Sequence, residues 1–279
     1  MYQFDKDANS ILVQYGLSLP LMEISKHSRW VILLKLLILN MFIPTHAATD
    51  LPALIAQLKP SVVAIALYNP TAAPRLKLLG SGFVTGPGNL VVTNFHVVST
   101  PADNTKNEAY VVLSGHGQQP RIHPIKQTRS DARHDLALLE IDGKLPPVKL
   151  AEAGYIAEGT ELAFTGYPIT GVLGLYPATH RALLSAVTPI VIPADHSQAL
   201  SAASVRQMRD PFLIYQLDGT AYPGNSGSML YRQDNGEVVG IINMVLIKKS
   251  KEAVLSDPSG ISYAIPVKHL HQLLQQIQP

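Results

Sequence analysis

Beyond residue 50 the hydrophobic positions fall into short runs rich in Val, Ile and Leu, broken by Gly, Pro, Asn and Asp. Runs of this length, bounded by turn residues, predict β-strands. In the first half they are 61–68, 80–86, 90–95, 108–114, 123–130 and 135–141. In the second half they are 161–167, 182–192, 212–218, 227–232, 238–247 and 261–266. Helical periodicity occurs in only two stretches, DLPALIAQL (50–58) and PVKHLHQLLQQI (266–277). In the second, Leu270, Leu273, Leu274 and Ile277 share one face. The pattern predicts an all-β sandwich or barrel with a C-terminal helix packed on it. LPPVKLAEAGYIAEG (145–159), rich in Pro, Gly and Ala, is the best linker between the halves, and 193–210 reads as a polar surface insertion.

The first fifty residues have a different texture. WVILLKLLILNMFI (30–43) is an apolar run behind Lys26 and Arg29, followed by small residues at Ala47 and Ala48. That is the layout of a cleaved export signal, and the run is shorter than the roughly 20 residues that span a bilayer. Residues 1–47 are therefore expected to be an N-terminal extension plus signal peptide, with no stable membrane span once it is cleaved. Met22 offers a second start, since residues 1–21 are polar for a leader.

Composition narrows the chemistry. The chain is 47% hydrophobic and 15% charged, enough to bury a sizeable core. A net charge of +2, without a basic stripe, excludes nucleic acid as the expected partner. Having no cysteine excludes a thiol nucleophile, a Cys-ligated zinc and a disulfide framework.

Three residues then stand out. Ser226 lies between Gly224 and Gly227 in AYPGNSGSML (221–230). The glycines free the backbone so that the N–H groups of Gly224 and Ser226 can converge on one point, beside the hydroxyl. A serine hydroxyl needs an imidazole to take its proton, and the imidazole needs a carboxylate to orient it. His96 sits between the apolar runs NLVVTNF and HVVST; it reads equally as a satisfied core histidine. Asp135 opens DLALLEI, where a carboxylate is expensive unless hydrogen-bonded, and it reads equally as a strand-start residue. Asp131, in the polar SDARHD, is the rival carboxylate and looks like a solvated turn residue. The other histidines read as leader, loop or helix residues, among them His134 just before a strand and His269 on the C-terminal helix.

The chain resembles the chymotrypsin-fold serine proteases, and among them the bacterial HtrA/Deg type. The resemblance rests on GSGFV (80–84), VVTNFHVV (91–98), DLALLEI (135–141), FTGYP (164–168), PGNSGS (223–228), GEVVGIIN (236–243) and GISYAIP (260–266). It implies two antiparallel six-stranded barrels over 50–152 and 153–265, a helix over 266–279, and an active site in the cleft between the barrels. It implies His96 as base, Asp135 as orienting carboxylate, Ser226 as nucleophile, and the N–H groups of Gly224 and Ser226 as oxyanion donors. The implied activity is serine endopeptidase action on protein or peptide substrates, without metal or organic cofactor, in the periplasm or outside the cell. GIIN (240–243) resembles the strand edge that pairs with an extended substrate. Thr220, Tyr222, Ile242, Asn243 and Met244 are the expected substrate-binding residues, and their lack of charge predicts a small or medium apolar side chain before the cut.

Some features depart from the family pattern. Ser228 stands where a second glycine is usual, the 193–210 insertion is long, and Asn225 is neutral. The chain ends soon after the last helix, so no C-terminal peptide-binding (PDZ) module is expected. Two alternatives stay open: a non-catalytic protease-like module that holds extended peptides in the same cleft, and an esterase or amidase acting on non-protein acyl groups.

Overall fold

The computed structural model describes residues 50–117, 119–168, 174–190, 211–243 and 260–276. The leader, the 193–210 insertion, Met244 and Ile277 lie outside the described residues. No described helix is long and apolar enough to cross a membrane.

The chain enters through helix α1 (Leu51–Leu58), which buries Leu54 and Leu58. Six strands follow: β1 (Val62–Tyr68), β2 (Leu76–Thr85), β3 (Leu90–Thr93), β4 (Ala109–Ser114), β5 (Arg121–Asp131) and β6 (Leu136–Ile141). They close into a barrel in the order β1-β2-β3-β6-β5-β4, every pair antiparallel. A second set, β7 (Glu161–Gly166), β8 (Ala178–Pro189), β9 (Leu213–Asp218), β10 (Met229–Arg232), β11 (Val238–Asn243) and β12 (Ile261–Pro266), closes as β10-β11-β12-β9-β8-β7. The expected architecture of two six-stranded barrels and a terminal helix is the one observed.

Burial explains why the strands read as unbroken apolar runs. Along β1 the alternate residues Val63 and Ile65 join a cluster with Val84, Val91, Val112 and Leu139, all from the first barrel. Their neighbours Val62, Ala64 and Ala66 join a second cluster, which continues through Phe83 and Leu138 into Phe164, Tyr231 and Ile241 of the second barrel. Both faces of the strand are covered, so the period-2 alternation of a half-exposed sheet is lost. At the end of the chain, α3 (Val267–Gln275) lays Val267, Leu270 and Leu273 onto the second barrel's cluster.

Two local readings differ from expectation. The linker is strapped down: Val238 N–H donates to the Lys149 carbonyl, and Ala151 N–H to the Val238 carbonyl, both at 2.9 Å. It is backbone-paired to β11, because Val148 and Ala151 have apolar surface to bury there. The segment 240–242 is also not an open edge. β12 pairs with it from Gly240 to Asn243. On its other side Gly240 and Ile241 pair with β10, and Ile242 exchanges hydrogen bonds of 3.0 Å with Gly227 N–H and the Ser228 carbonyl. Over positions 240–242 barrel closure pairs both sides of the strand.

Candidate active site

The first barrel delivers a histidine and a carboxylate. The run predicted as a strand through Phe95 stops at Thr93, and Phe95–Val98 form a single helical turn, α2. The reason is Asp135. A helix start leaves backbone donors unpaired. Here the Asp135 carbonyl accepts Phe95 N–H at 3.1 Å, and its Oδ1 accepts His96 N–H at 2.8 Å. Asp135 Oδ2 accepts from His96 Nδ1 at 2.6 Å and from Asn243 Nδ2 at 2.8 Å. With a carboxylate as acceptor, Nδ1 carries the hydrogen, and in the neutral ring this leaves the lone pair on Nε2. Asp135 holds φ +51, a left-handed conformation that Asp tolerates better than most residues. Asn94 Nδ2 also donates to its carbonyl, at 3.1 Å, so five hydrogen bonds determine this residue's position. The His96 and Asp135 side chains keep 29% and 22% of their surface exposed, so the pair is partly open to solvent and not sealed in the core.

The second barrel delivers the Gly224–Ser228 turn, and both barrels clamp it. Gly224 and Gly227 sit at φ +99 and +88. A Cβ at Gly227 would collide with the Ser81 carbonyl, so only glycine fits there. At Gly80, on β2, a Cβ would lie 2.9 Å from a Val97 methyl and 3.0 Å from the Ser226 carbonyl oxygen. That glycine therefore lets α2, which carries His96, approach the turn that carries Ser226. Ser226 is 6% exposed. Among the described residues, neither Gly224 N–H nor Ser226 N–H has a hydrogen-bond acceptor. The neighbouring backbone groups of the turn are paired: Asn225 N–H with the Tyr222 carbonyl at 2.9 Å and Ser228 N–H with the Asn225 carbonyl at 3.0 Å. The turn thus presents two unspent donors beside a serine.

Ser228, where a glycine was expected, is fully buried, and its Oγ occupies the space that a Cβ at position 166 would need. Gly166 makes room for it. Asn225 is fully buried as well, and neither of its amide atoms has a partner among the described residues.

The expected substrate-binding residues separate. Thr220 and Tyr222 are half-buried upstream of the turn, and the Tyr222 ring lies 5.8 Å from that of His180. Ile242 is buried in the core cluster, and Asn243 turns its amide onto Asp135. Position 243 supports the carboxylate, a role that no local sequence signal gives, because its partner is 108 residues away.

Asp131 is not an idle turn residue. Its Oδ2 meets His134 Nδ1 at 2.5 Å, and its Oδ1 accepts the N–H groups of Arg133 and His134. Burial pushes the Asp131 carboxyl up, but the hydrogen bond and charge of His134 and the two N–H donors outweigh it and leave it below the ordinary carboxylate value. The His134 ring stacks at 4.0 Å on His269 of α3, and Phe212 meets both edge-on. Burial, and after it the charge of His134, lowers His269 from 6.5 to about 4. The folded protein therefore holds His269 neutral while the unfolded chain takes up a proton near 6.5. This contribution to stability is complete above about pH 6.5 and is lost as pH falls toward 4. Between pH 7 and 4 the wild type is expected to lose about 3 kcal/mol more stability than His269→Gln. Urea titrations of both proteins at the two pH values measure it; equal losses would contradict it.

The comparisons with known proteins bear on the family and the fold. The trypsin-like peptidase domain model matches residues 80–241. The chain belongs to the trypsin-like peptidase family. A probable periplasmic serine endoprotease DegP-like of Pseudomonas putida (strain W619) is 32% identical over 68% of this chain and 32% of its own length. Serine protease HTRA1A of Danio rerio is 28% identical over 80% of this chain and 40% of its own length. The chain thus spans about a third of the length of the curated relatives it matches. Among solved structures, an inactive form of Rv3671c from M. tuberculosis H37Rv superposes with TM-score 0.55 at 22% identity, covering 84% of this chain and 95% of that one. The HtrA-type protease AlgW with a tripeptide gives 0.55 at 23%, covering 82% and 63%. At those identities the structures speak for the shared two-barrel fold.

Proposed function

We propose that this trypsin-like peptidase is an exported serine endopeptidase that hydrolyses peptide bonds through an acyl-enzyme. The observation that carries the reading is the His96–Asp135 contact of 2.6 Å, formed beside a serine turn whose Gly224 and Ser226 N–H groups have no described acceptor. In the proposed reaction Ser226 Oγ adds to the substrate carbonyl carbon as its proton passes to His96 Nε2. The resulting oxyanion takes the two unspent N–H donors. The C–N bond breaks and His96 returns the proton to the leaving amine; water, deprotonated by His96, then adds to the acyl carbon, and as the bond to Ser226 Oγ breaks, His96 gives the proton back to Oγ. Asp135 fixes the ring by its Nδ1–H and stabilises the imidazolium. Thr220 and Tyr222, both uncharged, are the proposed substrate-facing residues upstream of the turn. Export fits the apolar stretch at 30–43 and the periplasmic DegP-like relatives.

The test is covalent. A fluorophosphonate probe is expected to modify the folded protein once, on the peptide containing Ser226. A folded protein that takes up no probe, or takes it up on another residue, would favour the binding-module alternative.

A further inference from the structure

Ser81, a first-barrel residue, holds the serine turn by two hydrogen bonds, one from its backbone and one from its side chain. It is fully buried on β2. Its N–H donates to the Ser226 carbonyl at 2.8 Å, and its Oγ lies 2.7 Å from the Gly224 carbonyl. Tyr167 N–H donates to the same Oγ at 2.8 Å. An amide can only donate, so the hydroxyl accepts from Tyr167, and its single proton is directed at Gly224. Thr93 Oγ1 in turn donates to the Ser81 carbonyl at 2.7 Å, which fixes the residue from behind.

The backbone pairing of the turn shows what this hydroxyl does. The 226–227 peptide is held at both ends, its carbonyl by Ser81 N–H and its N–H by the Ile242 carbonyl. The 224–225 peptide is also held at both ends, its N–H by the Tyr222 carbonyl but its carbonyl by a side chain, Ser81 Oγ. Gly224 sits at φ +99 and, lacking a Cβ, has no side chain to resist rotation. Rotation about it would swing its N–H away from that of Ser226.

We infer that Ser81 is a positioning residue for the oxyanion donors: its hydroxyl pins the Gly224 carbonyl and so keeps the Gly224 and Ser226 N–H groups aimed at one point. The inference rests on the serine-protease reading and adds to it a first-barrel residue that acts through the backbone of the second. It predicts a defect confined to the transition state. Ser81→Ala is expected to lower kcat on a peptide p-nitroanilide about 10- to 50-fold, less than loss of an oxyanion donor itself, with KM within about twofold. Affinity for a peptide boronic acid, whose tetrahedral adduct places an oxygen at the same point, is expected to fall by a similar factor.

Loss of fold is separated from loss of positioning in two ways. Leu273→Ala, in α3 and away from the turn, destabilises the second barrel and is expected to keep the wild-type kcat at temperatures where it is folded. Ser81→Cys keeps a side-chain donor at the same place, weaker and somewhat larger, and is expected to fall between wild type and alanine in both kcat and boronate affinity. A folded Ser81→Ala or Ser81→Cys with wild-type kcat and boronate affinity would overturn the role. So would a kcat loss with boronate affinity intact. A wild type that neither takes up fluorophosphonate nor hydrolyses peptides overturns the protease reading itself, and the role of Ser81 falls with it.

Discussion

Ser226→Ala is expected to abolish peptide hydrolysis, with kcat falling by about 10⁴-fold or more while the protein stays folded. The residue makes its structural contribution through its backbone. Its carbonyl accepts Ser81 N–H at 2.8 Å, and no hydrogen bond of its Oγ is present among the described residues. Alanine keeps the backbone contacts and removes only the oxygen that would attack. Thermal unfolding of the variant should match wild type within a degree or two, and burst kinetics with an activated ester should vanish. A variant that cleaves at the wild-type rate would sink the proposed mechanism. One that still binds peptide substrates would show that the cleft recognises extended chains independently of the nucleophile.

The second large effect is expected at the carboxylate. Asp135→Asn should lower kcat by about 10⁴-fold. Three donors converge on this side chain: His96 N–H on Oδ1, and His96 Nδ1 and Asn243 Nδ2 on Oδ2. An amide has one acceptor to offer. Whichever way Asn is placed, its NH₂ faces a donor, and the way that spares His96 N–H sets NH₂ against Nδ1, forcing the imidazole into the wrong tautomer. The loss should persist at high pH, since an amide does not regain charge. Asp131→Asn is the matched comparison, because Asp131 also pairs with a histidine, four positions earlier in the chain. It is expected to cost stability through His134 and to leave kcat within a few-fold. The opposite ranking of the two variants would reassign the orienting carboxylate.

Much of this protein could be read along the chain, and the boundary of what could be read has a physical cause. Strand positions were visible because β-structure needs apolar, β-branched runs broken by turn residues, and that requirement is local. The terminal helix was visible for the same reason, through the shared face of Leu270, Leu273 and Leu274. His96, Asp135 and Ser226 stand out as candidates because each sits at a junction between apolar strand and turn, where a polar residue has to be accounted for. Other details depended on partners far away in the chain. The strand through Phe95 ends early because Asp135 supplies the acceptors for a helical turn. Asn243, expected to face substrate, is drawn onto Asp135, and Ile242 into the core. Asp131 looked solvated from its neighbours Ser130 and Arg133, but packing brings α3 over it and stacks His269 on its partner His134.

By itself, then, the sequence determined the class of fold, the order of its strands and the three residue types with chemistry to offer, because hydrophobic period, turn chemistry and residue reactivity are properties of short stretches. Only the tertiary structure decided which carboxylate meets His96, that positions 240–242 are closed to a further strand, and that a hydroxyl at position 81 reaches the turn at 224. The first two depend on strands of one barrel closing on each other, and the last on a hydrogen bond whose ends lie 143 residues apart and which exists only once both barrels have packed together.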